Sequence, residues 1–176
     1  MARKLSIKVY SDGAVLETML KDLNSGLVSG FTTNPSLMKK AGITSYIGFA
    51  KEVLKDIKEF HVSFEVFADD IETMEKEAEK IASLGENVYV KIPVTNSKGE
   101  STVDLMKRLA AKGVKINATA IFTLEQVREV VGALKAGTPG IVSVFAGRIA
   151  DTGVDPVPIM KEALSICRQK DGVELL

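Results

Sequence analysis

The stretch "HVSFEVFADDIETMEKEAEKIASLGENVYVKIP", residues 61–93, decides how this chain is read. It opens on a short apolar, β-branched run (61–68) and closes on another (87–93). Between them Ile71, Met74, Ala78, Ile81 and Leu84 recur at helical spacing and share one face, while Glu72 precedes Lys76 by one turn. Gly85 supplies a stop before the second run. Two strands joined through a helix are too far apart in sequence for a hairpin, so they imply a parallel pair with a right-handed crossover.

The same alternation extends in both directions. Further strand-like runs occupy 5–12, 26–34, 113–122 and 140–147. Helix starts are marked by capping-box spacing at Asp69 with Glu72, Ser97 with Glu100, and Thr123 with Gln126. Asp155-Pro156 places a proline at a first helical position, and Gly113 closes a helix before a strand. The chain therefore predicts a single α/β domain over residues 1–176 with a parallel sheet.

Two architectures fit that pattern: an open doubly wound sheet and a (β/α)8 TIM barrel. After the first strand the sequence reads "SDGAVLE", which carries neither nucleotide-binding glycine fingerprint. The strand ends discriminate better. Nearly all finish in polar residues: Asp12; Thr33 and Asn34; Glu65; Lys91; Asn117 and Thr119; Ser143, then Arg148. An open sheet needs site residues only beside its switch point, whereas a barrel converges every C-terminal strand end on one mouth. The barrel is favoured. Six strand–helix units are legible, and "GVELL" (172–176) begins a seventh strand, so the expectation is a barrel truncated in its C-terminal part. The alternative is that the sheet is open after all.

Composition limits function. Lysine plus arginine and aspartate plus glutamate number 23 each, so no net field favours nucleic acid or an anionic membrane. One histidine, His61, is too few for a multi-histidine metal site, and one cysteine, Cys167, can form no internal disulfide. No apolar run approaches the roughly 20 residues of a membrane helix, and the N-terminus turns polar too early for a signal peptide. These features read as a cytoplasmic protein.

Lys91 is the anomaly inside this frame. It lies among Val88, Tyr89, Val90 and Ile92, one turn of the pleat before Pro93, although burying an unpaired ammonium is costly. Lys115 opens its strand beside Gly113 and Lys8 stands well ahead of Asp12, so only Lys91 sits at a C-terminal strand end. Lys91 either snorkels or pairs with Glu65 on the preceding strand, or it serves as a nucleophile. Desolvated lysines lose their proton more readily, and a neutral amine attacks a carbonyl to give a Schiff base. The protonated imine is an electron sink that lets a neighbouring carbon–carbon bond break. Asp12 and Glu65 supply carboxylates for proton transfer, with Thr119 as a relay. His61 opens its strand and so faces the opposite end; Tyr46 and Met38 read as core packing.

The motifs "SDG" (11–13), "GFTTNPSL" (30–37), "SFEV" (63–66), "VKIP" (90–93), "INATAIF" (116–122) and "VSVFAGRI" (142–149) resemble, in order and spacing, the transaldolase family. That family includes small transaldolases and fructose-6-phosphate aldolases. The resemblance covers nearly the whole chain and implies a (β/α)8 barrel without cofactor or metal. It further implies transfer of a dihydroxyacetone unit from a ketose phosphate (sedoheptulose 7-phosphate or fructose 6-phosphate) to an aldose phosphate, in the pentose phosphate pathway. It implies Lys91 as the Schiff-base lysine, Asp12 as acid/base at the C4 hydroxyl, and Glu65 with Thr119 handling water. Thr33, Asn34, Asn117, Ser143 and Phe145 would contact substrate, and Arg148 would bind its phosphate. Glutamate at Glu65 and phenylalanine at Phe145 are the transaldolase-like choices; the aldolase branch tends to carry glutamine and tyrosine. Two alternatives are an aldolase-type lyase and an incompetent barrel fragment serving as an assembly module. Related chains continue past Leu176 and, when complete, form homo-oligomers.

Overall fold

Each β-branched run becomes a strand and each amphipathic run a helix in the computed structural model, which describes residues 7–176. The strands are β1 (Tyr10–Asp12), β2 (Gly30–Thr32), β3 (His61–Glu65), β4 (Val88–Pro93), β5 (Ile116–Ile121), β6 (Gly140–Val144) and β7 (Val173–Leu175). They pair in sequence order, all parallel, into one seven-stranded sheet. The helices are α1 (Leu16–Asn24), α2 (Pro35–Lys40), α3 (Tyr46–Asp56), α4 (Ile71–Ala82), α5 (Val103–Ala111), α6 (Leu124–Ala133), α7 (Ala146–Asp151) and α8 (Val157–Cys167). The sheet curls: Lys8, just ahead of β1, forms an ion pair with Glu174 of β7. This is the expected barrel-type α/β fold, with seven strands among the described residues; β1 and β7 share no ladder.

Strand alternation sorts the side chains into two sets. Val62 and Phe64 of β3, Val90 and Ile92 of β4, Ile116 and Ala118 of β5 and Val142 of β6 are each fully buried and join the core. Against them pack Met74, Ala78 and Ile81 of α4, Leu105, Met106 and Leu109 of α5, and Val127 and Val130 of α6. Burying each of these side chains larger than alanine stabilises the fold by roughly 1.5–3 kcal/mol. The alternate set is polar and faces the concave side: Asp12, Thr32, Ser63, Glu65, Lys91 and Asn117. The apolar set thus anchors each strand, and the polar set lines the concave side.

Several local expectations shift. The strand predicted over 5–12 pairs only from Tyr10, and residues 5 and 6 lie outside the described residues. The cap of α4 is Asp70, whose carboxylate accepts from Thr73 N, rather than Asp69. Asp69 instead accepts from Ser97 N at 2.8 Å and Ser97 Oγ at 2.6 Å, tying the β4–α5 loop to the β3–α4 loop. No helix starts at Ser97; residues 95–101 turn back through an antiparallel bridge, Thr95 to Ser101, and α5 begins at Val103. Pro156 sits one position earlier than expected, at the cap of α8. Thr123 and Gln126 do form the complete capping box of α6, and Gly113 adopts φ +83° after α5, a conformation open to glycine at little cost.

Candidate active site

The concave side is organised by register. Glu65 of β3 lies directly opposite Lys91 of β4, and Lys91 directly opposite Asn117 of β5, so three strands bring one polar row together. Lys91 Nζ stands 3.3 Å from Glu65 Oε2, and the lysine is only 8% exposed. Of the readings of Lys91 open at the level of sequence, snorkelling is set aside: the ammonium is buried against a carboxylate. Burial pushes the Glu65 carboxyl above the ordinary carboxylate range, and the negative charge of Asp12 adds to that push. The Lys91 charge and its hydrogen bond pull it back. Glu65 is therefore a carboxyl able to hold a proton at higher pH than a surface glutamate.

A second row lies below. Asp12, Thr32 and Ser63 are successive partners across β1, β2 and β3. Thr32 Oγ1 donates to Asp12 Oδ1 at 2.7 Å, which orients that carboxylate. Asn117 Nδ2 donates to Ser63 Oγ at 3.0 Å and so joins the two rows. Asn117 Oδ1 then has no partner among the described residues, and neither does the hydroxyl of Thr119, which is 2% exposed. Buried polar atoms left without partners are unusual in a finished core and natural in a site that awaits a polar substrate.

Thr119 owes its placement to a break in β5. Between Ala118 and Ile121 the strand gains one residue relative to β6, and Ala120 adopts φ +57°. A bulge re-aims the strand end, and an alanine in left-handed backbone stores strain. Beyond the bulge the Phe122 and Phe145 rings meet edge to face, centroids 5.7 Å apart.

The other expected residues lie further out. Thr33 is fully buried with its hydroxyl unpartnered among the described residues. Asn34 caps α2, its Oδ1 accepting from Leu37 N at 3.0 Å. Ser143 is half-buried on β6. Arg148, on α7, is largely exposed and pairs with Asp151 Oδ2 at 3.3 Å. The structure thus gathers Lys91, Glu65, Asp12 and Asn117, with Thr119 two residues along β5 from Asn117, and leaves Arg148 on the rim. Sequence reasoning passed over Thr32 and Ser63; period-two alternation from Asp12's neighbour strand and from Glu65 could have found both.

The lysines set aside as decoys behave as such. Lys8 pairs with Glu174, and Lys115 donates to the Glu86 carbonyl. His61 lies at the opposite end of β3, with Nδ1 3.3 Å from the Tyr10 hydroxyl and its ring 4.7 Å from that of Tyr89. Among the described residues no three His, Cys, Asp or Glu side chains gather in a metal-binding cluster. No helix among them is long and apolar enough to cross a membrane.

The concave side thus sets a buried amine, a partly buried carboxylate (Glu65), an exposed one (Asp12), an amide and an unpartnered hydroxyl along neighbouring strand ends. Residues 9–175 match the family model described as Transaldolase/Fructose-6-phosphate aldolase. The chain is similar to a "Probable transaldolase" of Dehalococcoides mccartyi, 35% identical over 93% of this chain and 72% of that one. It is similar to one of Methanococcus maripaludis, 40% identical over 91% of this chain and 70% of the relative. A third, from a Thermoanaerobacter species, is 34% identical over 94% of this chain and 72% of the relative. With the family model spanning nearly all of its length and relatives of this identity matching it, the chain belongs to the transaldolase/fructose-6-phosphate aldolase family.

Proposed function

We propose that this protein is a transaldolase that moves a dihydroxyacetone unit between sugar phosphates through a Schiff base on Lys91. The observation that carries the reading is the buried Lys91 paired with Glu65, beside the unpartnered Asn117 Oδ1 and Thr119 hydroxyl. Lys91 Nζ, once deprotonated, attacks the C2 carbonyl of the ketose phosphate. Glu65, raised by burial, takes up and returns the proton as the carbinolamine loses water, and Thr119 holds that water. Asp12 then removes the proton of the C4 hydroxyl. The C3–C4 bond breaks, its electron pair enters the iminium, and the aldose phosphate leaves. The remaining enamine attacks the acceptor aldehyde while Asp12 returns the proton, and water releases the ketose product.

In this reading Asn117 and Asn34 bond the substrate hydroxyls or the imine, Thr33 and Ser143 line the pocket, and Arg148 turns from Asp151 to the phosphate. Phe145, facing Phe122, offers no hydroxyl to the imine water, which fits transfer better than release of free dihydroxyacetone. The reaction belongs to the interconversions of the pentose phosphate pathway. Borohydride added with fructose 6-phosphate is expected to fix a sugar adduct on Lys91, located by peptide mass spectrometry. Turnover is expected only when an aldose phosphate such as erythrose 4-phosphate is present. An unmodified Lys91 sinks the mechanism; cleavage without acceptor replaces the transferase with a lyase.

A further inference from the structure

The chain leaves β3 at Glu65, and the way it leaves is controlled from three sides. Val66 N donates to the Lys91 carbonyl at 3.1 Å, extending the ladder to β4 by one bond. The Tyr46 hydroxyl, on the first residue of α3, donates to the Glu65 carbonyl at 2.7 Å. On α4 the Glu77 carboxylate accepts from Phe67 N at 2.7 Å and Ala68 N at 2.9 Å. The Tyr46 ring also lies edge-on to Phe64 and Phe67, with centroids 6.1 and 4.6 Å away. Phe67 is half exposed, so burial alone does not immobilise this segment. Val66 is buried in the core, so these bonds bear chiefly on the Glu65 carbonyl and on the exposed turn at Phe67.

We infer that Tyr46 is a positioning residue for Glu65: by holding the Glu65 carbonyl it sets where the carboxylate stands against Lys91 Nζ, while Glu77 fixes the turn that follows. The carbonyl and side chain of Glu65 branch from one Cα, so rotation of the peptide unit swings the carboxylate away from a partner now 3.3 Å distant. Proton transfer is sensitive to displacements on the order of 1 Å. The phenol keeps its proton and stays a donor, because burial and the Glu65 and Glu77 charges push its pKa up. The inference rests on the reading of Glu65 as the group that moves protons during imine formation.

Tyr46→Phe deletes the hydroxyl and keeps the ring and its aromatic contacts. The test follows adduct growth on Lys91 by rapid mixing with fructose 6-phosphate and borohydride quench, in four chains: wild type, Tyr46→Phe, Glu65→Gln and the double variant. Tyr46→Phe is expected to slow imine formation about tenfold, with half-saturation by fructose 6-phosphate changed by less than about twofold. In the Glu65→Gln background the same change is expected to slow it by less than about twofold, since the group being positioned is gone. Equal slowing in both backgrounds, or none in either, overturns the positioning role while leaving the Schiff-base mechanism standing. Absence of any adduct in the wild type overturns both.

Discussion

The two ends of the curled sheet hold the same kinds of side chain to opposite effect. At the N-terminal end of the strands, Lys8 is paired with Glu174, Lys115 bonds the Glu86 carbonyl, and His61 meets Tyr10 and Tyr89. Lys8 and Glu174 are both about half exposed, so their pair is of modest energetic weight. At the C-terminal end, Lys91 is buried against a partly buried Glu65, Asn117 and Thr119 keep unpartnered polar atoms, and β5 carries a bulge. A lysine becomes a candidate nucleophile here because of which end of its strand it occupies and how many neighbours remain unsatisfied. Residue type alone does not distinguish the ends.

The largest effect should separate the two ends outright. Lys91→Met is expected to lower transfer activity by at least about a thousandfold and abolish borohydride trapping, because it removes the amine of the proposed covalent step. Lys115→Met should leave the rate within about twofold, as its amine lies outside the site. Comparable losses from both, in one coupled assay, would erase the distinction.

Next in size is a stability difference. Glu65→Ala leaves the Lys91 ammonium buried without its counter-charge, a change expected to destabilise the fold by about 3 kcal/mol. Glu174→Ala at the other end removes a half-exposed pair and is expected to lower stability by no more than about 1 kcal/mol. Urea titrations of the two variants compare them directly; equal midpoint shifts would contradict the account.

A smaller effect tests whether strain resides at the mouth. Ala120→Gly relieves a left-handed alanine and is expected to raise stability by about 1 kcal/mol, against the usual cost of glycine in a strand. The thermal midpoint should rise while kcat falls, if the bulge holds Thr119 in place. A drop in midpoint would show that the backbone there is unstrained.

The smallest concerns pH, where the two ends differ in sign. His61 is held below its usual 6.5 first by burial and then by the Lys8 cation, with Glu174 opposing. The unfolded chain therefore binds this proton before the folded one does, and stability falls as pH drops through 6.5 toward the folded value. Glu65 is raised above 4.5, so the folded chain binds that proton first and stability falls as pH rises from 4.5 through the folded value. Thermal midpoints measured against pH should flatten on the first limb in His61→Asn and on the second in Glu65→Gln. A His61→Asn profile that keeps its slope below 6.5 would remove His61 from the explanation.

Much of this was legible beforehand, for a local reason. Alternation of strand and helix follows from side-chain periodicity within ten or fifteen residues, and β4 (Val88–Pro93) lies inside its predicted run. Lys91 was conspicuous because a charged residue interrupts an apolar strand at its C-terminal end. Asp12, Glu65 and Thr119 were visible as polar strand ends. Tyr46 reads as packing in the sequence, and its ring does pack; its bond to the Glu65 carbonyl joins residues nineteen apart across two elements. Asp69 and Asp70 carry the same capping chemistry, and the choice between them fell to the turn after β3 and to the pull of Ser97.

The sequence by itself determined the order of elements, the apolar set that buries them and the polar strand ends that make the candidate site, because these depend on periodicity and residue chemistry along a short length of chain. Only the tertiary structure decided that Glu65 faces Lys91 at 3.3 Å, that Asn117 is held by Ser63 so that its oxygen is left open, and that β5 bulges beside Thr119. Those outcomes depend on interstrand register and on the curl of the sheet, which couple residues that local preferences cannot bring together.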